Sequence, residues 1–236
     1  MSTKSAAAAL GEAFLTARDL DAPVNVRLAH YSKAVQQHLP PYADAVDRLV
    51  ARLQQVGVAA NAPAIGAAMP PFLLPDERGR LVSLDEVLSE GPAAIAFHRG
   101  HWCPFCRINA RALAEVQNAV RSGGGQIVAI TPERQKFIAQ QKAEAGAHYQ
   151  ILSDIYNGYA LSLGLAIWLG DDIQRILSDF GRDLPLYQGD PSWFVPIPAT
   201  FVVARDGMIT ARFIDPDYRR RMDTDALVDA IQSAHI

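Results

Sequence analysis

Cysteine is nearly absent from this chain, with two in 236 residues. Two cysteines cannot build the disulfide framework of a small secreted domain, and a chain of this length buries a core without one. Long hydrophobic runs are missing too, so no stretch is expected to span a bilayer. Neither charge sign dominates: 22 Lys and Arg stand against 25 Asp and Glu, a formal net charge of −3. That balance excludes the electrostatic footprint of a nucleic-acid binder. Basic residues cluster densely once, at Arg219-Arg220-Arg221, which reads as a solvated or locally paired face. The first stretch, Met1 to Leu20, has Lys4 and an alanine run, but Glu12, Arg18 and Asp19 interrupt the apolar core a signal peptide needs. The expectation is a cytoplasmic protein with no membrane or nucleic-acid partner.

What is present falls into two parts. Residues 1 to about 57 read as helix only, with stretches near 5–18 and 24–38 and a clearer one after Pro40-Pro41. In that third helix Ala43, Val46, Leu49, Val50, Leu53 and Val56 form an apolar stripe, and Gly57 can stop it. Such a stripe must be covered, either by the rest of this chain or by a second copy, and the second copy, giving a homodimer, is the favoured cover. These helices are expected to serve packing and to carry no chemistry. Val58 to Pro71, rich in Ala, Gly and Pro, reads as a linker.

From Phe72 strands and helices alternate. A hairpin is predicted around Asp76-Glu77-Arg78-Gly79, and Ser83-Leu84-Asp85-Glu86 has the spacing of a capping box. Ala93 to His98 is a continuous apolar run, as in a central buried strand. A helix follows to Ser122, then a strand over 126–130, a helix from Pro132 to Gly146, a short strand over 149–152 and a helix over 156–164. The triple glycine at 123–125 follows a helix and leads into a strand, the reverse of a phosphate cradle. Residues 165–197 read as a long irregular insert, with Trp168 and Trp193 as core residues or lining of a substrate groove. Strands over 200–204 and 208–213 and a helix from 224 to 234 complete the chain.

The cysteines sit three apart, as Cys103-Pro104-Phe105-Cys106, after the buried strand and at the start of a helix. There the free N–H groups and the helix dipole stabilise negative charge, so a thiol is more acidic than in solution. The spacing puts both sulfurs on one helix face, where one attacks a substrate and the other displaces it. A metal site is the rival reading, because His98 and His101 lie upstream. A zinc site usually takes four ligands, often in two pairs, and the second cysteine pair is missing. No metal and no cofactor are expected.

The segment Phe97-His98-Arg99-Gly100-His101-Trp102-Cys103-Pro104-Phe105-Cys106 resembles the active-site loop of the peroxiredoxins. Gly66 to Leu74, Gly79-Arg80-Leu81-Val82-Ser83-Leu84 and Ile151-Leu152-Ser153-Asp154 also resemble the alkyl hydroperoxide reductase/thiol-specific antioxidant family. The likeness covers most of residues 61–236. It implies an α/β thioredoxin fold, a central mixed sheet flanked by helices, over 61–236, with a helical extension over 1–60. It places the attacking cysteine of the family at Cys106. The family's Thr/Ser position falls on Cys103, its Pro position on Arg99, and its peroxide-polarising arginine on Pro198. Ile197-Pro198-Ala199-Thr200-Phe201 further resembles the cis-proline segment of thioredoxins, so the Ile197–Pro198 bond is expected to be cis and to lie beside the dithiol.

The resemblance implies a thiol-dependent peroxidase in which Cys106 attacks a hydroperoxide and Cys103 resolves the sulfenic acid as a disulfide. Arg99 or His101 would supply positive charge. Trp102 would touch substrate or pack at the rim, and His101 would shuttle a proton or lie at the surface. A thioredoxin-, glutaredoxin- or glutathione-type reductant would restore both thiols. The alternative is a thioredoxin-like thiol-disulfide oxidoreductase, with Cys103 exposed and attacking first. A metal-binding or redox-sensing protein is the non-enzymatic rival.

Overall fold

A computed structural model describes residues 3–234. Three helices come first: α1 (Thr3–Asp19), α2 (Val24–His38) and α3 (Pro40–Gln55). The paired prolines occupy the first turn of α3, where their missing N–H groups cost nothing. Past its end, Gly57 takes a left-handed backbone (φ 61°). Val56, expected as the last member of the stripe, lies past the helix end and is exposed, but from Tyr42 and Ala43 to Leu49, Val50 and Leu53 the stripe is buried. The chain's own helix α8 (Asp171–Asp179) covers it, within a cluster that also holds α1, α2 and the cysteine loop. The cover allowed from the chain itself is therefore the one present, and a second subunit is not needed for this stripe. The segment expected as a linker is tied down: Arg212 Nη1 donates to the carbonyls of Ala62 and Pro63 at 2.9 and 2.6 Å. Gly66 N–H donates to Ile209.

A hairpin of β1 (Leu73–Pro75) and β2 (Leu81–Ser83) leads into α4 (Leu84–Glu90). Ser83 Oγ caps α4, accepting from Glu86 N–H at 3.0 Å. The central sheet has the order β5-β4-β3-β8-β9, built from β3 (Ala93–Phe97), β4 (Gln126–Thr131), β5 (Gln150–Ser153), β8 (Ala199–Val203) and β9 (Ile209–Ile214). Strands β3, β4 and β5 are parallel, and β8 and β9 run antiparallel beside β3. This is the mixed sheet expected.

Alternation along β3 divides the core. Ala93, Ile95 and Phe97 face Val82, Leu84, Tyr159 and Leu163 on one side. Ala94 and Ala96, with Ala129 of β4, face the other side, where their small side chains admit α5 (Pro104–Ser122), α6 (Gln135–Ala145) and α10 (Thr224–Ser233). Both faces are therefore buried, as a parallel centre requires. Helix α5 leaves the end of β3 and carries the cysteines at its tip, a place fixed by the sheet.

Four expectations change. Pro132 does not open α6, which starts at Gln135; Glu133 turns inward and is fully buried. The helix expected over 156–164 is a 3-10 turn (Ile155–Asn157) followed by α7 (Gly158–Ser162), with Tyr156 and Asn157 at positive φ. Residues 165–197 are structured as β6 (Ala166–Trp168), α8, α9 (Leu184–Gln188) and β7 (Phe194–Pro196), with β6 and β7 paired antiparallel. The Ile197–Pro198 bond is trans, and no cis bond occurs among the described residues. Ile197 N–H donates to Leu165 O at 2.7 Å, continuing the β6–β7 pairing by one residue, and β8 begins directly after Pro198. No helix among the described residues is long and apolar enough to cross a membrane.

Candidate active site

Cys103 is the N-cap of α5, with extended backbone, and Pro104 fills the first helical position. Cys106 then falls in the first turn, where N–H groups lack helical partners. Both cysteines are free thiols and buried, Cys103 at 2% exposure and Cys106 at 0%. The exposed Cys103 of the thioredoxin-like reading is not what the fold provides. Burial comes from α1 and α2 as much as from the sheet: Phe14, Tyr31 and Phe105 join the cysteines in one cluster.

Cys106 Sγ lies in an electropositive setting. The backbone N–H of Arg99 donates to it at 3.2 Å, and Arg221 Nη2 stands 3.7 Å away. Burial works against ionising Cys106, but the hydrogen bond from Cys103 and the charges of Arg221 and Arg99 outweigh it. The Cys106 thiol is held well below the ordinary thiol value. Cys103 goes the other way, pushed up by burial and by its hydrogen bond to Cys106. Of the pair, Cys106 is therefore the sulfur that ionises more readily and Cys103 the one that holds its proton.

Arg221 belongs to the basic run read from sequence as a solvated or locally paired face. Arg219 fits that reading, bonded to Asp217 and Asp47, as does Arg220 beside Asp215. Arg221 does not: it is 3% exposed and turned onto Cys106. Its Nη1 donates to the carbonyls of Tyr218 and Arg220, and Asn25 of α2 clasps its backbone. Asn25 Oδ1 accepts from Arg221 N–H and Nδ2 donates to Arg221 O, both at 3.0 Å. Three adjacent arginines in a loop gave no periodic signal to separate the inward one.

Arg99 is 1% exposed, and among the described residues none of its three guanidinium nitrogens has a hydrogen-bond partner. It is held instead between two rings, 4.9 Å from the centre of Trp102 and 3.9 Å from that of Tyr218. Trp102 Nε1 donates to Arg99 O at 2.9 Å. Tyr218 in turn pairs through its hydroxyl with Tyr42 of α3, 3.2 Å away. The helical extension therefore reaches the two arginines through Asn25 and Tyr42, besides packing on the cysteines, and packing alone is too narrow a role for it.

The other predicted residues separate. The His101 ring engages Glu144 at 2.7 Å, not the sulfurs. Glu144 also holds Arg107, and these partners keep its carboxyl down at about 2 despite partial burial. His98 is buried between amides, Nδ1 at 3.1 Å from Gln141 and Nε2 at 3.0 Å from Asn109. Burial pushes His98 down to about 4, so it is neutral at pH 7. The two histidines thus serve different partners, and no group of three or more metal-ligating side chains occurs among the described residues. Pro198 is buried and does not line the cavity at Cys103. Trp193 is buried, and Trp168 lies by Arg48 and Arg52, away from the cysteines.

Glu133 is a further residue that sequence reasoning missed. Its carboxylate accepts from the backbone N–H of His101 at 2.7 Å and of Trp102 at 3.4 Å, so it fixes the loop before Cys103. Burial pushes it up to about 8. Gly100 makes the fit possible, with φ at 133°; a Cβ there would stand 2.5 Å from Glu133 Oε1.

A cavity of about 160 Å³ opens onto this loop. Leu10 and Phe14 of α1, Tyr31 of α2, Tyr42 of α3, and Leu177 and Phe180 near α8 line it, above Trp102 and Cys103. Cys106 does not reach it.

A family model described as the AhpC/TSA family matches residues 65–212, well over half of the chain. No curated protein matches. Among solved structures, the peroxidoxin BcpB of Mycobacterium tuberculosis is similar at 18% identity and a TM-score of 0.57, over 74% of this chain and 99% of that one. A cysteine-to-serine mutant of the peroxiredoxin 6 of Arenicola marina is similar at 14% identity and 0.56, over 72% of each chain. A yeast mitochondrial 1-Cys peroxiredoxin is similar at 16% and 0.52, over 70% of this chain and 73% of that one. These likenesses carry the thioredoxin fold; together with the family match over the sheet and the cysteine loop, they make the chain a member of the AhpC/TSA family, an oxidoreductase of the peroxiredoxin-like, thiol-peroxidase kind.

Proposed function

We propose that residues 61–236 form a peroxiredoxin-like domain that reduces hydroperoxides through Cys106 and Cys103, with residues 1–60 as a helical extension that completes its site. The observation that supports this most is the environment of Cys106 Sγ: a helix first turn, the Arg99 N–H at 3.2 Å and Arg221 at 3.7 Å. The thiolate attacks the terminal peroxide oxygen, the O–O bond breaks, and water or an alcohol leaves. Cys106 becomes a sulfenic acid. The Cys103 thiol then attacks that sulfur, water departs, and a Cys103–Cys106 disulfide closes. An external thiol reductant reopens it. Arg221, and the unpartnered guanidinium of Arg99, supply the positive charge that the family's arginine would give at Pro198. Two free thiols suit the reducing setting of the cytoplasm.

The test is stopped-flow reaction of the reduced protein with peroxide. Cys106→Ser should lose the fast phase. Cys103→Ser should react once and leave Cys106 as a sulfenic or over-oxidised species by mass spectrometry. A fast phase retained in Cys106→Ser transfers the attack to Cys103 and favours disulfide exchange. That second reading draws on Cys103 alone facing the cavity, but the trans Ile197–Pro198 bond removes its cis-proline support.

A further inference from the structure

The cavity over the cysteine loop touches one sulfur of the pair. Cys103 lines it, and Cys106 lies behind, sealed at 0% exposure. Its walls are mostly apolar and aromatic, and four of its helical contributors come from outside the loop: α1, α2, α3 and α8. Two cations line it, Arg107 and Arg182. Arg107 is already held by Glu144, with Nε at 3.0 Å from both carboxylate oxygens. Arg182 is half-buried and has no carboxylate within ion-pair distance among the described residues. The Tyr31 hydroxyl also forms no hydrogen bond among them.

Resting on the dithiol reading above, we propose that this cavity admits the reductant, a small apolar thiol carrying a carboxylate, which reopens the Cys103–Cys106 disulfide by attacking Cys103. Volume argues for a small molecule. A protein dithiol must bring its own backbone up to the sulfur, and Cys103 is 2% exposed beneath α1, α2 and α8. Chemistry argues for an apolar body with an anionic end, since Phe14, Tyr31, Trp102 and Phe105 surround the path and Arg182 is the cation left to pair.

The direction of attack also matches the sulfurs. The incoming thiolate bonds to Cys103 Sγ, the Cys103–Cys106 bond breaks, and Cys106 leaves as the thiolate that Arg221 and the Arg99 N–H already stabilise. A second thiol attacks the ligand's sulfur in the mixed disulfide. Cys103 leaves and takes a proton, and the small disulfide departs. Two thiols supply the two electrons, so the step balances with no other reductant.

The experiment oxidises the full chain with diamide, independently of peroxide, and follows the return of free thiols. The probes are 4-mercaptobenzoate, its cationic counterpart 4-(aminomethyl)benzenethiol, and a thioredoxin. Each rate is divided by that thiol's rate with a small soluble disulfide. Wild type should prefer the carboxylate thiol over the cationic one by about tenfold, and Arg182→Gln should abolish that preference. Gly11→Trp tests access: Gly11 lines the cavity from α1, and a Cβ there meets nothing within 4 Å. Leaving glycine behind favours a helix, so the variant should fold, with its melting temperature as the check. Reduction by 4-mercaptobenzoate should slow about tenfold in it. A thioredoxin outpacing both small thiols, an absent charge preference, or an unchanged rate in Gly11→Trp overturns the proposal. Failure of diamide to close the disulfide overturns the dithiol reading and this one with it. A closed disulfide that these thiols ignore overturns the cavity assignment alone.

Discussion

Replacing Arg221 by Gln removes a cation 3.7 Å from Cys106 Sγ while keeping a polar side chain in the loop. Coulomb's law at an effective dielectric near 20 sets a ceiling of about 4.5 kcal/mol at that distance. A hydrogen bond to a charged group is worth about 1.5–3 kcal/mol net, the better guide because other donors stay in place. At about 1.36 kcal/mol per unit, the Cys106 thiol should rise by roughly one to two units. The sign fixes the profile. In wild type the thiol is held below the ordinary thiol value, so alkylation by iodoacetamide should keep its rate to lower pH than an ordinary thiol does. In Arg221→Gln the rate should fall on the acid side at a pH about one to two units higher than in wild type. On the alkaline plateau both thiolates are complete, and the more basic sulfur is the better nucleophile. With a Brønsted slope of about 0.4–0.5, iodoacetamide should react about 2.5-fold to tenfold faster there. Peroxide should not share that gain, because Arg221 also faces the oxygen that takes up negative charge as the O–O bond breaks. Superimposable alkylation profiles for the two proteins would refute the placement of Arg221 as the counter-ion. Equal gains for both reagents at high pH would refute its part in peroxide chemistry.

Asn25→Ala removes both bonds that clasp the Arg221 backbone; it should slow peroxide oxidation of Cys106 about fivefold or more, at a stability cost of about 0.5–1.5 kcal/mol, and an unchanged rate in stopped-flow would free Arg221 from α2. Gly100→Ala places a Cβ 2.5 Å from Glu133 Oε1 on a backbone at φ 133°; it should lower stability by about 1–3 kcal/mol in urea melts, and an unshifted midpoint would count against the tight loop. Glu133 keeps its proton to about pH 8 when folded but loses it near the ordinary glutamate value when unfolded. Its stabilisation is therefore full below that lower value and declines as pH rises towards 8. Glu133→Gln should remove that decline, and parallel wild-type and variant stability curves between pH 5 and 8 would refute it.

Period and punctuation carried most of the fold. The apolar run from Ala93, the Ser83 cap and the stripe of α3 up to Leu53 are local signals, and each sits where the pattern put it, whereas Val56 falls past the helix end into solvent. The insert was illegible because its strands are three residues long and its helices nine and five, too short for a period to emerge. In the site, the cysteines announced themselves by spacing, whereas their electrostatics did not. Arg221 is 115 residues from Cys106 and Glu133 is 32 from His101, and neither lies in a pattern that separates it from surface charges. The trans bond before Pro198 has the same lesson: a likeness to one branch of the superfamily predicted cis, and no local residue pattern carried that expectation.

The extension explains how one chain keeps two cysteines close to a helix tip without leaving both open to solvent. A CxxC at the start of α5 would, with the sheet domain alone, meet whatever thiol or disulfide arrived. Here α1 and α2 lie across it, Tyr42 closes the ring stack around Arg99, and Asn25 sets Arg221 on Cys106. The same helices that activate one sulfur therefore limit access to the other. Charge and access are assigned to different cysteines: Cys106, enclosed, is the one favoured to ionise, and Cys103, facing the cavity, the one favoured to stay protonated. An enzyme whose oxidant is a small peroxide can accept that enclosure on its oxidative step. The cost falls on the reductive step, where the reductant must fit under α1, and it is there that the shape of this protein selects its partner.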